Sequence, residues 1–267
     1  MGTKDKVGRS LVRKVDVNLM PRWGARVVLG PETRIKKTLS NPGLASLTLR
    51  KKLIDRLRKR GIVDEAVLTA MGVVERHKFV DSALASMAYE DLALPIGFEQ
   101  TISQPFVVAR TISIVRKLLS KNRSKDELAQ LNILEVGCGS GYQAAVLSEC
   151  FGQVTSVERI LPLYKKALKN CEEHISKQRL QLHLYDGKSG FNDGAPYDAI
   201  FFSASLKKFP DELIEQVKDG GVVLAPTGVN LQYLLAGIKD LSSKKSFSIS
   251  SYDVVSYVPL KEGLDRL

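Results

Sequence analysis

The chain has 267 residues, which is enough for one large domain or one domain with an appendage. Hydrophobic residues make up 44% of it, yet no apolar run approaches the ~20 residues that span a bilayer, and charges interrupt residues 1–30, so we expect neither a membrane span nor a signal peptide. The net charge of +11 is uneven: residues 1–60 hold 17 Lys/Arg against 4 Asp/Glu (+13), and residues 61–267 hold 23 against 25 (−2).

Residues 1–46 come first and show no sustained hydrophobic period, with proline and glycine throughout. We predict a basic irregular extension there. Segments of one charge sign are usually solvated, so a solvated extension is the favoured interpretation. A phosphate-binding arm on nucleic acid and a mitochondrial targeting segment are the alternatives.

Residues 47–125 are predicted to form a helical lead-in. Leu49, Leu53 and Leu57 recur every four residues, which predicts an amphipathic helix that stops at Gly61. Asp64 is expected to cap a second helix.

The stretch PIGFEQTISQPFVVAR, residues 95–110, crowds hydrogen-bonding side chains before an apolar run. Helical spacing runs from Pro105 to Leu119. Ser103 is expected to cap this helix, with Pro105 in its first turn.

From Asn132 onward, apolar strands alternate with helices. This order predicts an α/β, Rossmann-like core over residues 131–267, with a mainly parallel sheet and helices on both faces. After Gly228 the pattern predicts further strands at the sheet edge. The predicted strands are 132–136, 152–158, 180–186, 197–203 and 220–226, and the predicted helices are Tyr142–Phe151, Leu161–His174 and Pro210–Val217.

The turn LEVGCGSGYQ, residues 134–143, joins the first of these strands to its helix. Gly137, Gly139 and Gly141 allow a sharp turn and close approach to a ligand. Glu158 follows Gly137 by 21 residues, where a carboxylate grips ribose hydroxyls. Tyr142 stands where a dinucleotide fingerprint counted from Gly137 needs its last glycine, and the loop has no phosphate-binding G-x-x-x-x-G-K-[ST] pattern.

The pattern E-x-G-x-G-x-G resembles the first motif of class I methyltransferases, which bind S-adenosylmethionine. Glu135 supplies an acid near the positively charged part of that cofactor. Asp186-Gly187 ends the third strand and is interpreted either as an adenine contact or as an ordinary Asp-Gly turn. Its position beside Gly137 and Glu158 at one sheet edge favours the ligand interpretation.

A wider resemblance covers residues 48 to 260. ALPIGFEQTISQPFVVAR contains a TIS tripeptide followed by proline, and GIVDEAVLTAMGVVERHKFVD, LEVGCGSGYQAAVLSE, YDGKSG, APYDAIFFSA, GGVVLAPTG and SYVPL come in the same order as in the bacterial protein-L-isoaspartate O-methyltransferases. The chain resembles that family. The resemblance implies a class I fold and a repair enzyme that transfers a methyl group from S-adenosylmethionine to the α-carboxylate of isoaspartyl residues in damaged proteins.

The resemblance also implies site residues. Ser103 would lie at the active site, with Gln100 and Thr101 against the cofactor. Gly137, Gly139 and Gly141 would form the cofactor loop with Glu135 nearby. Glu158 would hold the ribose, and Asp186 with Gly187 the adenine. The chain departs from the family pattern at Glu99 and Tyr185, where glycine is usual.

Two other functions remain open at this point: a class I methyltransferase with a different acceptor, and a nucleic-acid-binding protein that uses the basic N-terminal segment. Deleting residues 1–46 would separate the second from a repair enzyme, whose activity on peptides should not change. The cysteines, Cys138, Cys150 and Cys171, are odd in number and lack C-x-x-C spacing, and the three histidines are scattered. We therefore expect a reducing, cytoplasmic location and no metal. Nothing in the sequence demands an oligomer, so we expect a monomer.

Overall fold

The computed structural model describes residues 42–240 and 246–266. The predicted extension over residues 1–46 lies outside the described residues except for its last five positions. Those positions belong to helix α1 (Pro42–Lys59), which therefore starts before the predicted boundary at residue 47.

The helices of the lead-in pack against the apolar face of α1. Leu53 and Leu57 of α1 are fully buried, as their spacing predicts. Asp64 caps α2 by accepting the backbone N–H groups of Ala66 and Val67, which confirms that prediction. The other elements are α2 (Glu65–Val73), 3₁₀ turns at Arg76–Phe79, Ser82–Met87 and Ser120–Asn122, β1 (Leu94–Gly97), β2 (Gln100–Ile102), α3 (Pro105–Leu119) and α4 (Lys125–Leu128).

The cap of α3 differs from the prediction. Pro105 opens the helix as expected, but the capping position is Gln104, and Ser103 lies one residue outside the helix. Asp91 Oδ1 instead accepts the backbone N–H of Phe106 at 2.9 Å. A carboxylate suits the positive end of a helix, and this one leaves the Ser103 side chain out of the cap.

The core is a seven-stranded sheet in the order β5-β4-β3-β6-β7-β8-β9. Strands β3 to β7 pair in parallel, and β8 runs antiparallel to both of its neighbours. The edge strands predicted after Gly228 are therefore present. The strands are β3 (Asn132–Val136), β4 (Gln153–Glu158), β5 (Leu180–Leu184), β6 (Tyr197–Phe202), β7 (Val217–Thr227), β8 (Gln232–Lys239) and β9 (Phe247–Val255).

The crossover helices are shorter than predicted. They are α5 (Tyr142–Cys150), α6 (Leu161–Asn170) and α7 (Glu172–Ser176). The predicted helix Leu161–His174 breaks at Cys171, and the one predicted at Pro210–Val217 is a 3₁₀ turn, Asp211–Gln216.

Alternate residues of each parallel strand pack on opposite sides of the sheet. In β3, Ile133 joins the core formed with the helices, whereas Leu134 and Val136 join a second core on the other face. Glu135 has the same parity as Ile133 and so points to the helical side.

The chain runs outward from β3 to β4 and β5, then returns to β6 on the other side of β3. This reversal opens a crevice at the carboxyl ends of β3 and β6, which is where ligands bind in such sheets. Across the described ranges, none of the helices is long and apolar enough to cross a membrane.

Candidate functional site

A cavity lies at this crevice, between the β1–β2 hairpin, the glycine turn and a C-terminal segment. Its wall includes seven of the predicted site residues: Gln100, Thr101, Ser103, Glu135, Gly137, Gly139 and Glu158. The carboxyl ends of adjacent strands thus bring together residues that lie far apart in sequence.

The glycine turn between β3 and α5 uses conformations that other residues avoid. Gly137, Gly139 and Gly141 have φ angles of 95°, 57° and 92°. A Cβ on Gly139 would lie 3.2 Å from Ile96 Cδ1, so a side chain there would intrude on the wall of the cavity. Gly141 does not line the cavity but begins α5 behind it.

Glu158 is held in the cavity wall by the turn itself. Its Oε2 accepts the N–H of Gly139 at 2.8 Å, and its Oε1 accepts the N–H of Ile160 at 2.9 Å. Burial raises the pKa of Glu158, and these backbone hydrogen bonds act in the opposite direction. Each oxygen has a second lone pair, so the carboxylate can also accept hydroxyl groups.

Glu135 is fully buried and hydrogen-bonded to hydroxyl groups. Ser156 Oγ donates to Oε2 at 2.5 Å, and Ser203 Oγ donates to Oε1 at 3.3 Å. Gln143 Nε2 in turn donates to Ser203 Oγ at 2.9 Å. Desolvation raises the pKa of Glu135 to about 8 against these bonds, so the group is mostly protonated at neutral pH.

Asp186 and Gly187 lie at the end of β5 but not in the wall of the cavity. Asp186 Oδ2 accepts the N–H of Gly263 at 2.6 Å, and Oδ1 accepts the N–H of Lys188 at 3.1 Å. Gly187 is buried, and a Cβ there would lie within 2.7 Å of side chains from β3 and β4. The structure therefore links Asp186 to the C-terminal segment through Gly263, and packs Gly187 against β3 and β4.

That C-terminal segment was not among the predicted site residues. Val258, Pro259, Leu260 and Lys261 line the cavity. Ser205 holds the segment through two backbone hydrogen bonds, to the carbonyl of Val258 and from the N–H of Leu260. The motif SYVPL was the available signal for it, but a motif does not say where its segment packs.

A second cavity adjoins the first. The two share Thr101, Ser103, Ser203 and Val258 in their walls. Across the second cavity, Arg110 Nε of α3 donates to Asp253 Oδ2 of β9 at 2.8 Å. Its remaining wall is formed by Ala93, Gln104, Phe106, Val107, Thr111, Leu234 and 254–257.

The chain matches one family of known proteins. A model described as Protein-L-isoaspartate(D-aspartate) O-methyltransferase matches residues 48–265. The chain belongs to this family. The resemblance and the α/β class I fold predicted from the sequence are thereby confirmed.

Relatives and solved structures of the family agree. The protein-L-isoaspartate O-methyltransferase of Bordetella avium is 43% identical over 225 residues, which cover 84% of this chain and 81% of the relative. That of Hahella chejuensis is 42% identical over 223 residues, which cover 84% and 100%.

A solved protein-L-isoaspartate O-methyltransferase superposes with a TM-score of 0.69 at 26% identity, over 81% of this chain and 67% of that one. A putative family member from Plasmodium falciparum, in complex with S-adenosyl-L-homocysteine, gives 0.67 at 21% identity, over 79% and 98%. At that identity the second structure supports the fold alone.

The first cavity fits S-adenosylmethionine, the methyl donor of this family. The cofactor carries a positive charge and no phosphate, and the wall supplies the acids Glu135 and Glu158. Ser140 Oγ belongs to the same wall, is buried, and has no hydrogen-bond partner among the described residues. An unpartnered buried hydroxyl beside a glycine cradle is expected where a ligand completes the hydrogen bonds.

Ser103 and Thr101 are the two predicted site residues that lie on the wall common to both cavities. Tyr257 lies on the second wall; burial raises the pKa of its hydroxyl, and the Ser103 side chain acts in the opposite direction. Within the described ranges, no group of three or more His, Cys, Asp or Glu residues could hold a metal ion.

Proposed function

We propose that this protein repairs damaged proteins by methylating the α-carboxylate of L-isoaspartyl residues, with Ser103 at the point of transfer. One observation carries the proposal: two cavities meet at Ser103 on the carboxyl edge of a class I methyltransferase sheet. The first is proposed to hold S-adenosylmethionine and the second the isoaspartyl segment of the substrate.

S-adenosylmethionine, when bound, supplies an electrophilic methyl group on a sulfonium. Glu158 is proposed to accept its ribose hydroxyls, since its carboxylate is already fixed by Gly139 and Ile160. Glu135 is proposed to face its amino-acid part, and Gln100 and Thr101 to close the cavity from the hairpin. Asp186 and Gly187 remain proposed adenine neighbours at the outer end, where the N–H of Gly263 donates to Asp186.

The acceptor is proposed to need orientation rather than a base. An α-carboxylate is ionised at neutral pH, so it carries its own lone pair for attack. Ser103 is proposed to donate a hydrogen bond to one carboxylate oxygen, which leaves the other aimed at the methyl group. Alignment and exclusion of water then supply the rate enhancement.

The test is methyl transfer to two synthetic peptides that are identical except for isoaspartate or aspartate at one position. Methylation of the isoaspartyl peptide alone is expected. Cofactor binding without transfer to either peptide would keep the fold and the cofactor but reject this acceptor.

Ser103→Ala tests the division of roles. Because Ser103 is proposed to orient the acceptor, we expect kcat to fall on the order of 10²-fold while the affinity for S-adenosylhomocysteine changes little. Calorimetric binding and steady-state rates on the isoaspartyl peptide measure both. An equal loss of turnover and cofactor affinity would reject the assignment.

We propose further that the protein acts in the cytoplasm as a monomer on isoaspartyl-containing proteins. The methyltransferase domain predicted at 47–267 is proposed to begin instead at Pro42, the start of α1, with a lead-in up to residue 125 and a core at 131–267. The three cysteines are buried and free, which fits a reducing compartment. Sedimentation of the purified protein tests the monomer.

A further inference from the structure

Arg76 is a fully buried cation whose guanidinium binds backbone carbonyls beside the site. It begins the 3₁₀ turn Arg76–Phe79 and has no exposed surface. Burial lowers its pKa to about 10, so the guanidinium remains charged at neutral pH. The groups that favour its charged form are the hydroxyls of Tyr142 and Tyr89; in the described part of the chain no carboxylate pairs with it.

Its guanidinium fork joins three irregular points of the chain. Nε donates to the carbonyl of Ala88 at 2.8 Å, and Nη2 donates to the carbonyls of Leu92 at 3.3 Å and Ser103 at 2.8 Å. Ala88 ends a 3₁₀ turn, Leu92 precedes β1, and Ser103 follows β2. One side chain thus fixes the path of the chain into and out of the hairpin.

The Ser103 carbonyl depends on this contact. Strand β2 ends at Ile102, and α3 does not use the Ser103 oxygen, because the N–H groups of Val107 and Val108 both reach Gln104 O. The bond from Arg76 therefore fixes the peptide group that follows Ser103. It thereby fixes the backbone from which the Ser103 side chain, itself hydrogen-bonded to Tyr257, extends.

Arg76 also contacts the cofactor side of the site. Its Cζ lies 4.7 Å from the ring centroid of Tyr142, which begins α5 directly after the glycine turn and lines the first cavity. Arg76 is consequently packed between the turn that presents Ser103 and the turn that forms the cofactor cradle.

We propose that Arg76 is a positioning residue: its fork holds the Ser103 carbonyl at a fixed place relative to α5, and so aims the Ser103 hydroxyl at the acceptor carboxylate. This inference rests on the proposed function, because Arg76 is proposed to act on the acceptor through Ser103.

The decisive variant is Arg76→Lys, measured in the wild-type and Ser103→Ala backgrounds of the full chain. A lysine keeps the charge but lacks the planar fork that reaches three carbonyls. In the wild-type background we expect kcat on the isoaspartyl peptide to fall on the order of tenfold, with little change in S-adenosylhomocysteine affinity. In the Ser103→Ala background the same substitution should cost less than about twofold, because the serine it positions is gone.

Arg50→Lys is the matched control. Arg50 is also buried, and its Nη1 donates to the carbonyls of Gly72 and Val73 at 3.1 and 3.0 Å, away from both cavities. We expect its substitution to lower Tm without changing kcat below the unfolding transition. A fall in kcat equal to that of Arg76→Lys would show that loosening the lead-in is sufficient, and would overturn the inference.

The other possible results also distinguish the inference from its alternatives. A loss from Arg76→Lys that persists undiminished in Ser103→Ala overturns the inference and leaves the proposed function intact. Arg76→Gln, which can hold one carbonyl, serves if the lysine variant does not fold. Failure of both to unfold cooperatively would show that Arg76 holds the lead-in rather than one serine. Absence of wild-type turnover on the isoaspartyl peptide would overturn both proposals.

Discussion

The proposed position of Glu135 beside the amino-acid part of the cofactor would make ligand binding depend on pH. Its pKa of about 8 comes from burial, and an ammonium group placed beside it would favour the ionised form. Binding of S-adenosylhomocysteine should therefore release a proton, and the affinity should rise with pH until it levels off above about pH 8, the pKa of the unliganded group. Calorimetry in buffers of different ionisation enthalpy measures the release, and Glu135→Gln should abolish it. Proton release retained in that variant would assign it to another group.

Glu135 has the opposite effect on the stability of the unliganded protein, which should fall as pH rises. The pKa of Glu135 is higher in the folded protein than its ordinary value of 4.5, so the folded state holds the proton more tightly than the unfolded state. Its contribution to the free energy of unfolding is present below about pH 4.5 and is lost as pH rises to about 8. Comparing wild-type with Glu135→Gln across this range isolates that contribution.

Glu135 also shows which features of a single site residue could be predicted from the sequence and which could not. The spacing of the E-x-G-x-G-x-G motif pointed to its carboxyl group as part of the site. It could not show the contacts with Ser156 on β4 and with Ser203 directly after β6, which lie 21 and 68 residues away. Single serines on apolar strands carry no local pattern, and their contacts follow only from strand order and register.

At the scale of elements, the turn before α5 depends on Gly141. Its φ is 92°, and a Cβ there would lie 2.5 Å from Cys171 Sγ. Gly141→Ala should lose about 1–2 kcal/mol from the backbone conformation and more from the contact with Cys171, which lowers Tm by roughly 4 °C or more. We also expect weaker S-adenosylhomocysteine binding, because the glycine turn is proposed to hold the cofactor.

Gly61→Ala is the control for that prediction. Gly61 has nearly the same φ, 91°, and a Cβ at this position would have nothing within 4 Å. Thermal unfolding and ligand titration of both variants separate backbone cost from local contact. Equal effects on Tm and no effect of either on binding would remove Gly141 from the cradle.

The β1–β2 hairpin carries the departure at Glu99. Phe98 and Glu99 have φ angles of 54° and 57°, and the Glu99 carboxylate lies 3.4 Å from Lys261 Nζ in a solvent-exposed pair. Glu99→Gly should relieve about 1 kcal/mol of backbone cost and remove a pair worth less, so Tm should rise by roughly 2–4 °C. Because Lys261 partly neutralises Glu99, we expect KM for the isoaspartyl peptide to change little. A large fall in KM would show that Glu99 repels the substrate.

The elements with clear periodicity were predicted well, and their ends were not. The leucine repeat located α1, and apolar runs located the five parallel strands. The break at Cys171 and the capping of α3 by Asp91 depend on packing and on a side chain 15 residues away. The spacing of residues within one element therefore could not predict the helix break or the cap.

At the scale of the whole molecule, the site is assembled from three parts of the chain: the hairpin, the strand ends and the C-terminal segment. The sequence predicted the first two because each carries a motif with known chemistry. The segment at 258–261 reaches the cavity because β8 and β9 lead the chain back past the end of β6, where Ser205 binds it. The return of the chain to the cavity follows from the strand order, so it could not be predicted from the residues of the segment itself.

Deleting the basic N-terminal residues tests whether these three parts of the chain are sufficient for activity. The walls of both cavities are formed by residues 93–261, so deleting residues 1–41 should leave kcat and KM on the isoaspartyl peptide unchanged, although it removes ten of the seventeen basic residues in 1–60. Steady-state rates at low and physiological salt measure this. A large loss of turnover would show that the extension belongs to the site.

Deleting residues 1–46 should preserve turnover as well but cost stability. Ser46 is buried, and its hydroxyl is hydrogen-bonded to His77 Nδ1 at 3.3 Å and to the Tyr89 hydroxyl at 3.1 Å. Loss of a buried hydrogen bond costs about 1 kcal/mol, which lowers Tm by roughly 2–4 °C relative to the shorter deletion. Equal Tm values for the two deletions would show that α1 is held by its leucines alone, since Leu53 and Leu57 remain in both.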